Sequence, residues 1–95
     1  MSEAYEIFKN KFRDKKRVLD TEVKTRFKYG VRPTDIMCVT WYVKQTIDRM
    51  RSEVDVHILC ENTLSTREVK VLYKYIDILN DSYWDRLYNI AGERR

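Results

Sequence analysis

The chain holds two glycines, Gly30 and Gly92, and one proline, Pro33. A sheet protein reverses direction every ten or so residues and needs turn chemistry at each reversal. No glycine or proline lies between Pro33 and Gly92, so the regular structure is expected to be helical. One Gly-x-x-Pro break near residue 30 divides a first arm from the rest.

The apolar spacing agrees. Tyr5, Phe8, Phe12, Leu19, Val23 and Phe27 recur at three-, four- and seven-residue intervals, which builds one stripe on a helix. Ser2 can cap that helix, with Glu3 and Glu6 in the first turn where the dipole favours acids. The helix is expected over about Glu3 to Tyr29, with Gly30 as a left-handed cap; Asp20-Thr21 is a point where it can be interrupted. Pro33 suits a first helical turn, and Ile36, Val39, Val43, Ile47, Met50, Val54 and Ile58 continue the helical period to about Cys60, with Asn62 as the stop. The rival reading makes 54–60 a strand, because Val54, Val56, Ile58 and Cys60 alternate with Asp55, His57 and Leu59. Ser65 and Glu68 have capping-box spacing, and Val69, Leu72, Tyr73, Ile76 and Leu79 follow. Asn80-Asp81-Ser82 reads as a break before a last short helix over Tyr83 to Ala91. The expected architecture is an all-α bundle of three to four helices folded as antiparallel hairpins, with α+β as the alternative if 54–60 is a strand.

The 95 residues fit one domain over residues 1–95. Hydrophobic residues at 43% and aromatics at 13% set the chain apart from disordered segments, although 36% of residues are charged. The net charge is +4, a modest argument for nucleic acid. Its placement is uneven, because residues 1–32 hold ten Lys and Arg against five Asp and Glu. Cys38 and Cys60 have no C-x-x-C companion, and His57 is the single histidine, so neither a metal nor a cofactor is implied. Two reduced, core-lying thiols are expected. The charged N-terminus and the absence of a long apolar run argue against a signal peptide or a membrane span and point to a cytoplasmic protein.

Lys9, Arg13, Lys16, Arg17, Lys24 and Lys28 fall within about a third of a helical circumference at 100° per residue. Such a stripe suits a phosphate backbone or an acidic protein groove; a solvated helix face has the same pattern. The stretch from Glu22 to Val39, EVKTRFKYGVRPTDIMCV, resembles the helix-turn-helix motif of bacterial regulators. Gly30, Val31 and Ile36 stand where that motif has its turn glycine and two apolar contacts. The resemblance implies a small, dimeric DNA-binding regulator whose reading helix begins with Arg32, Thr34, Asp35 and Met37. The sequence departs from the motif at Arg26, where close helix packing calls for a small residue, and at Thr25.

Beside the stripe of the arm after Ser65, a second apolar face carries Val71, Tyr75 and Ile78, with Trp84 and Tyr88 further on; Trp41 and Met37 widen the preceding helix likewise. A helix in a small bundle buries only part of its circumference, and Tyr and Trp dominate binding hot spots. Trp41, Val71, Tyr75, Ile78, Trp84 and Tyr88 are therefore the candidate partner-binding residues. No nucleophile stands beside His57 and no glycine-rich phosphate loop is present, so the expectation is a non-enzyme. Short length with abundant Lys, Tyr and Asp is similar in style to small bacteriophage early proteins, many of which bind and inhibit or redirect a host enzyme. The favoured expectation is a protein-binding module that modulates its partner stoichiometrically. The alternatives are the DNA-binding regulator and a structural subunit of an oligomer.

Overall fold

A computed structural model describes residues 2–28, 30 and 32–93. Three helices follow one another: α1 Glu3–Arg26, α2 Pro33–Cys60 and α3 Thr66–Glu93. They form an all-α bundle of two antiparallel hairpins, with no strand among the described residues. At 1.5 Å per residue the 28-residue helices α2 and α3 are about 42 Å long. The molecule measures 47 × 19 × 18 Å, so all three axes lie close to its long axis, with α1 parallel to α3.

Each helix begins where its chemistry allows. Ser2 Oγ accepts from Tyr5 N–H at 3.3 Å, Pro33 opens α2, and Ser65 and Glu68 close a reciprocal capping box at 2.9 and 3.1 Å. Asn62 ends α2 at φ 51°. Asn tolerates that left-handed conformation better than other non-glycine residues, and its N–H reaches back to His57 O at 2.8 Å.

The core is one cluster drawn from all three helices. Ser2 lies beside Glu68, Phe8 against His57 and Arg51 on Asp77. That register sets Phe12, Met50, Val54 and Ile76, all at most 1% exposed, at about the same level. Burying side chains of this kind contributes roughly 1.5–3 kcal/mol each, which is what holds three polar-faced helices together.

The helix expected to run to about Cys60 does so, and three other local expectations are corrected. Residues 54–60 are helical rather than extended: Val54 is 0% exposed but Val56 53%, so the alternation does not mark one buried face, and Val54 and Ile58 pack inward at i, i+4. Helix α3 runs unbroken through Asn80-Asp81-Ser82. Leu79 and Tyr83 are buried on either side of those residues, and Asn80 Oδ1 accepts from Trp84 Nε1–H at 2.8 Å. Packing outweighs a weak local preference of a few tenths of a kcal/mol per residue. Asp20-Thr21 does not interrupt α1 either, because Thr21 Oγ–H bonds back to Arg17 O at 3.0 Å within the helix. Finally, α1 stops at Arg26 rather than near Tyr29, which lies outside the described residues. Phe27 caps it, Lys28 N–H tightens onto Thr25 O at 3.5 Å, and Gly30 at φ +118° makes the reversal.

Candidate interaction surface

The six apolar candidates do not form one surface. Tyr75 and Trp84 are nine residues apart on α3, which turns them about 180° from one another. Val71, Tyr75 and Ile78 lie on the flank of α3 toward α1; Trp84 and Tyr88 lie on the flank toward α2. With Arg51 level with Asp77 and Asp55 with Tyr73, the antiparallel register carries Trp41 to the level of Tyr88 at the far end of the bundle, where the Trp41 ring meets Tyr42 edge-on at 5.3 Å. Trp41 and Tyr88 are 58% and 73% exposed. Trp84 is half-buried against the core, its indole N–H taken by Asn80.

The α1–α3 side differs. Tyr5 and Phe12 of α1 and Val71, Leu72 and Tyr75 of α3 line a narrow apolar recess, with Lys9 and Arg13 at its edge. Tyr75 stacks on Phe12, the rings 4° from parallel and their centres 6.4 Å apart. Val71 and Ile78 extend the apolar surface outward and are both exposed. Two of the six partner-binding candidates, Val71 and Tyr75, and two members of the basic stripe therefore meet in one cleft.

The stripe itself is not uniform. Lys16 is bound to Asp20 at 2.9 Å and Arg17 to Asp14 at 3.5 Å, while Lys28 lies beyond the end of α1. Among the described residues Lys9, Arg13 and Lys24 make no ion pair.

The cleft is bounded by two polar clamps between α1 and α3. At one end Glu68 accepts from Ser2 N–H and Ser2 Oγ–H, both at 2.9 Å, and from Ser65 N–H at 2.9 Å. One carboxylate thereby serves the N-termini of two parallel helices, where their dipoles favour it. The backbone N–H groups of Ser65 and Ser2 pull its pKa down to about 2 despite its burial. Toward the other end the Tyr83 hydroxyl donates to Asp20, which Lys16 and Arg86 also approach. Burial works to raise the Asp20 pKa, but the Tyr83 hydroxyl and the two cations outweigh it and hold it below the usual carboxylate value. Burial and the Asp20 hydrogen bond push the Tyr83 phenol well above its ordinary value.

The helix-turn-helix residues occupy a different setting. Arg32 Nε–H and Nη2–H donate to Asp35 at 2.9 and 3.4 Å, and the bonds from Arg32 hold the Asp35 carboxyl below its ordinary pKa. Asp35 is buried, whereas Thr34 and Met37 are exposed; Val31 lies outside the described residues. The motif crosses its helices at about 90–120°, whereas α1 and α2 run antiparallel along a 47 Å bundle only 18–19 Å thick.

His57 stacks edge-on to Phe8 at 5.3 Å and shares a 2.7 Å hydrogen bond with Thr63 Oγ1. Both cysteines are free, Cys38 half-buried and Cys60 exposed rather than in the core. As members of one straight helix they lie about 33 Å apart, too far for a bridge with each other. Among the described residues no group of three His, Cys, Asp or Glu side chains could hold a metal ion, and no helix is long and apolar enough to cross a membrane. The sequence shows Ser65 and Glu68 as a local box, but not that Glu68 also reaches Ser2; the one local sign is Ser2, itself a helix cap, at the start of α1.

Comparison with family models, with curated proteins and with solved structures gives no match for this chain.

Proposed function

We propose that this chain is a small, non-catalytic protein-binding module that acts on its partner stoichiometrically, by occupying a surface. One observation carries the reading: the open apolar recess between α1 and α3, with Tyr75 stacked over Phe12 and with Lys9 and Arg13 unpaired at its edge. Exposed aliphatic and aromatic side chains are ordinary when scattered singly. Here the exposed Val71 and the half-buried Tyr75 stand beside cations that the chain leaves uncompensated, as in recognition surfaces that combine an apolar anchor with charge-guided approach. A cytoplasmic setting and a bacteriophage-type, host-directed role are the finer form of this proposal; they rest on compositional style.

Affinity purification followed by mass spectrometry tests it, comparing wild type with a variant carrying Lys9→Glu, Arg13→Glu and Val71→Arg. The expected result is a stoichiometric protein partner recovered with wild type and lost with the variant. Recovery of no protein partner at all would sink the reading. Light scattering run alongside tells capture of a foreign protein from self-association into an oligomer, the structural-subunit alternative.

A further inference from the structure

We infer that the cleft between α1 and α3 receives an acidic, amphipathic helix of the partner, its apolar ridge in the recess and its carboxylates on Lys9 and Arg13. The inference rests on the protein-binding reading above and names the chemistry of the ligand.

Three observations carry it. The first is shape. Helices α1 and α3 run parallel, and the channel between two aligned helices is what the ridge of a third helix fills. From Tyr5 to Arg13 the recess spans about 12 Å of helix rise, or two turns, which accommodates two or three apolar side chains at three- and four-residue spacing. The second is the floor. Phe12, Leu72 and the stacked Tyr75 ring present carbon, which gains from an apolar side chain and offers nothing to a phosphate.

The third observation is charge. The carboxylates nearest the cleft are already committed: Glu68 to Ser2 and Ser65, and Asp20 to Tyr83, Lys16 and Arg86. Glu6 stays exposed on α1 without an ion pair to Lys9. Two unpaired cations, Lys9 and Arg13, thus stand at the edge of the cleft against one uncommitted carboxylate, Glu6, with Lys24 unpaired further along α1. Carboxylates flanking an apolar ridge supply the complement, steering approach and fixing register. Duplex DNA would satisfy the cations but leave the recess unfilled.

The test is selection of random 16-residue peptides, displayed on phage, against the intact protein. The most enriched peptide is then titrated by fluorescence anisotropy. Enrichment of acidic peptides with apolar residues at i, i+3 or i+4, and i+7 is expected. Binding should weaken at least tenfold with Lys9→Glu plus Arg13→Glu and disappear with Val71→Arg, a change at an exposed position whose fold is checked by circular dichroism. It should change less than twofold with Trp41→Ser plus Tyr88→Ser. The inference is overturned by enrichment of neutral or basic peptides, by no enrichment, by indifference to the cleft substitutions, or by a mixed-sequence 20-base-pair duplex that displaces the peptide. A cellular partner lost on the Trp41 and Tyr88 changes, but not on the cleft changes, would retire this inference and leave the protein-binding reading standing.

Discussion

The two seams that α3 makes with its neighbours are closed to different degrees. Toward α2, Arg51 Nη2–H donates to Asp77 at 2.8 Å and the Tyr73 hydroxyl donates to Asp55, so side chains of both helices meet across the contact. Toward α1, among the described residues, the bonds sit at the clamps, Ser2 with Glu68 and Tyr83 with Asp20. Between them α1 offers Lys9 and Arg13 to a flank of α3 that carries Val71 and Tyr75. A cation has no partner on an apolar flank and stays in water, so the seam stays open there. Exposed apolar side chains occur on all three helices, Leu59 and Met37 of α2 among them; what sets the α1–α3 seam apart is that Val71 and Tyr75 stand beside Lys9 and Arg13.

The largest expected effect lies under the open seam. Phe12 is 0% exposed and bridges the recess to the core, so Phe12→Ala should lower unfolding free energy by about 3–5 kcal/mol in urea denaturation. Ile78→Ser, on the same side but 57% exposed, should cost about 0.5 kcal/mol or less. Comparable losses for the two would mean that the flank of α3 is buried in solution and the seam shut.

Next come the helix ends. Asn62→Val puts a β-branched residue at φ 51° and should cost about 1–2 kcal/mol, whereas Asn62→Gly should be neutral or slightly stabilising. The Ser2–Glu68 clamp has a pH signature. Glu68 titrates near pH 2 in the fold against an ordinary value of 4.5. Its stabilisation is present above pH 4.5 and is lost as the pH falls toward 2. The glutamine variant Glu68→Gln should show a shallower fall in melting temperature over that interval; a parallel fall would remove the clamp from the account.

The smallest effect concerns the closed seam. A double-mutant cycle on Tyr73→Phe and Asp55→Asn should return a coupling of about 0.5 kcal/mol, since the pair is exposed. Asp55 pushes the Tyr73 phenol up to about 12, so ultraviolet titration should show Tyr73 ionising late beside Tyr83, and Asp55→Asn should bring Tyr73 alone back. An unchanged titration would mean the α2–α3 seam lacks that bond and is no tighter than its counterpart.

Much of this is written locally in the chain. Ser2, Pro33, Asn62 and the Ser65–Glu68 box mark four of the six helix ends, because each acts through neighbours a few residues away. The Asn80-Asp81-Ser82 segment misleads for the same reason: its residues favour a break locally, but Leu79 and Tyr83 are held by distant helices. The separation of Tyr75 from Trp84 follows from counting 100° steps. Which flank then faces α1 depends on the side-by-side placement of α1 and α3, a contact between residues more than sixty positions apart. Grouping Tyr75, Trp84 and Trp41 by residue type hid the pairing that the fold creates, Tyr75 and Val71 with Lys9 and Arg13.

The most direct measurement places the photoreactive residue benzoylphenylalanine at position 71 in one sample and at position 88 in another, with irradiation inside the cells that make the protein. A discrete protein adduct from position 71, suppressed by Lys9→Glu with Arg13→Glu and absent from position 88, is the expected outcome. Adducts from position 88 alone, or from position 71 to nucleic acid, would contradict the assignment of the α1–α3 cleft as the docking face.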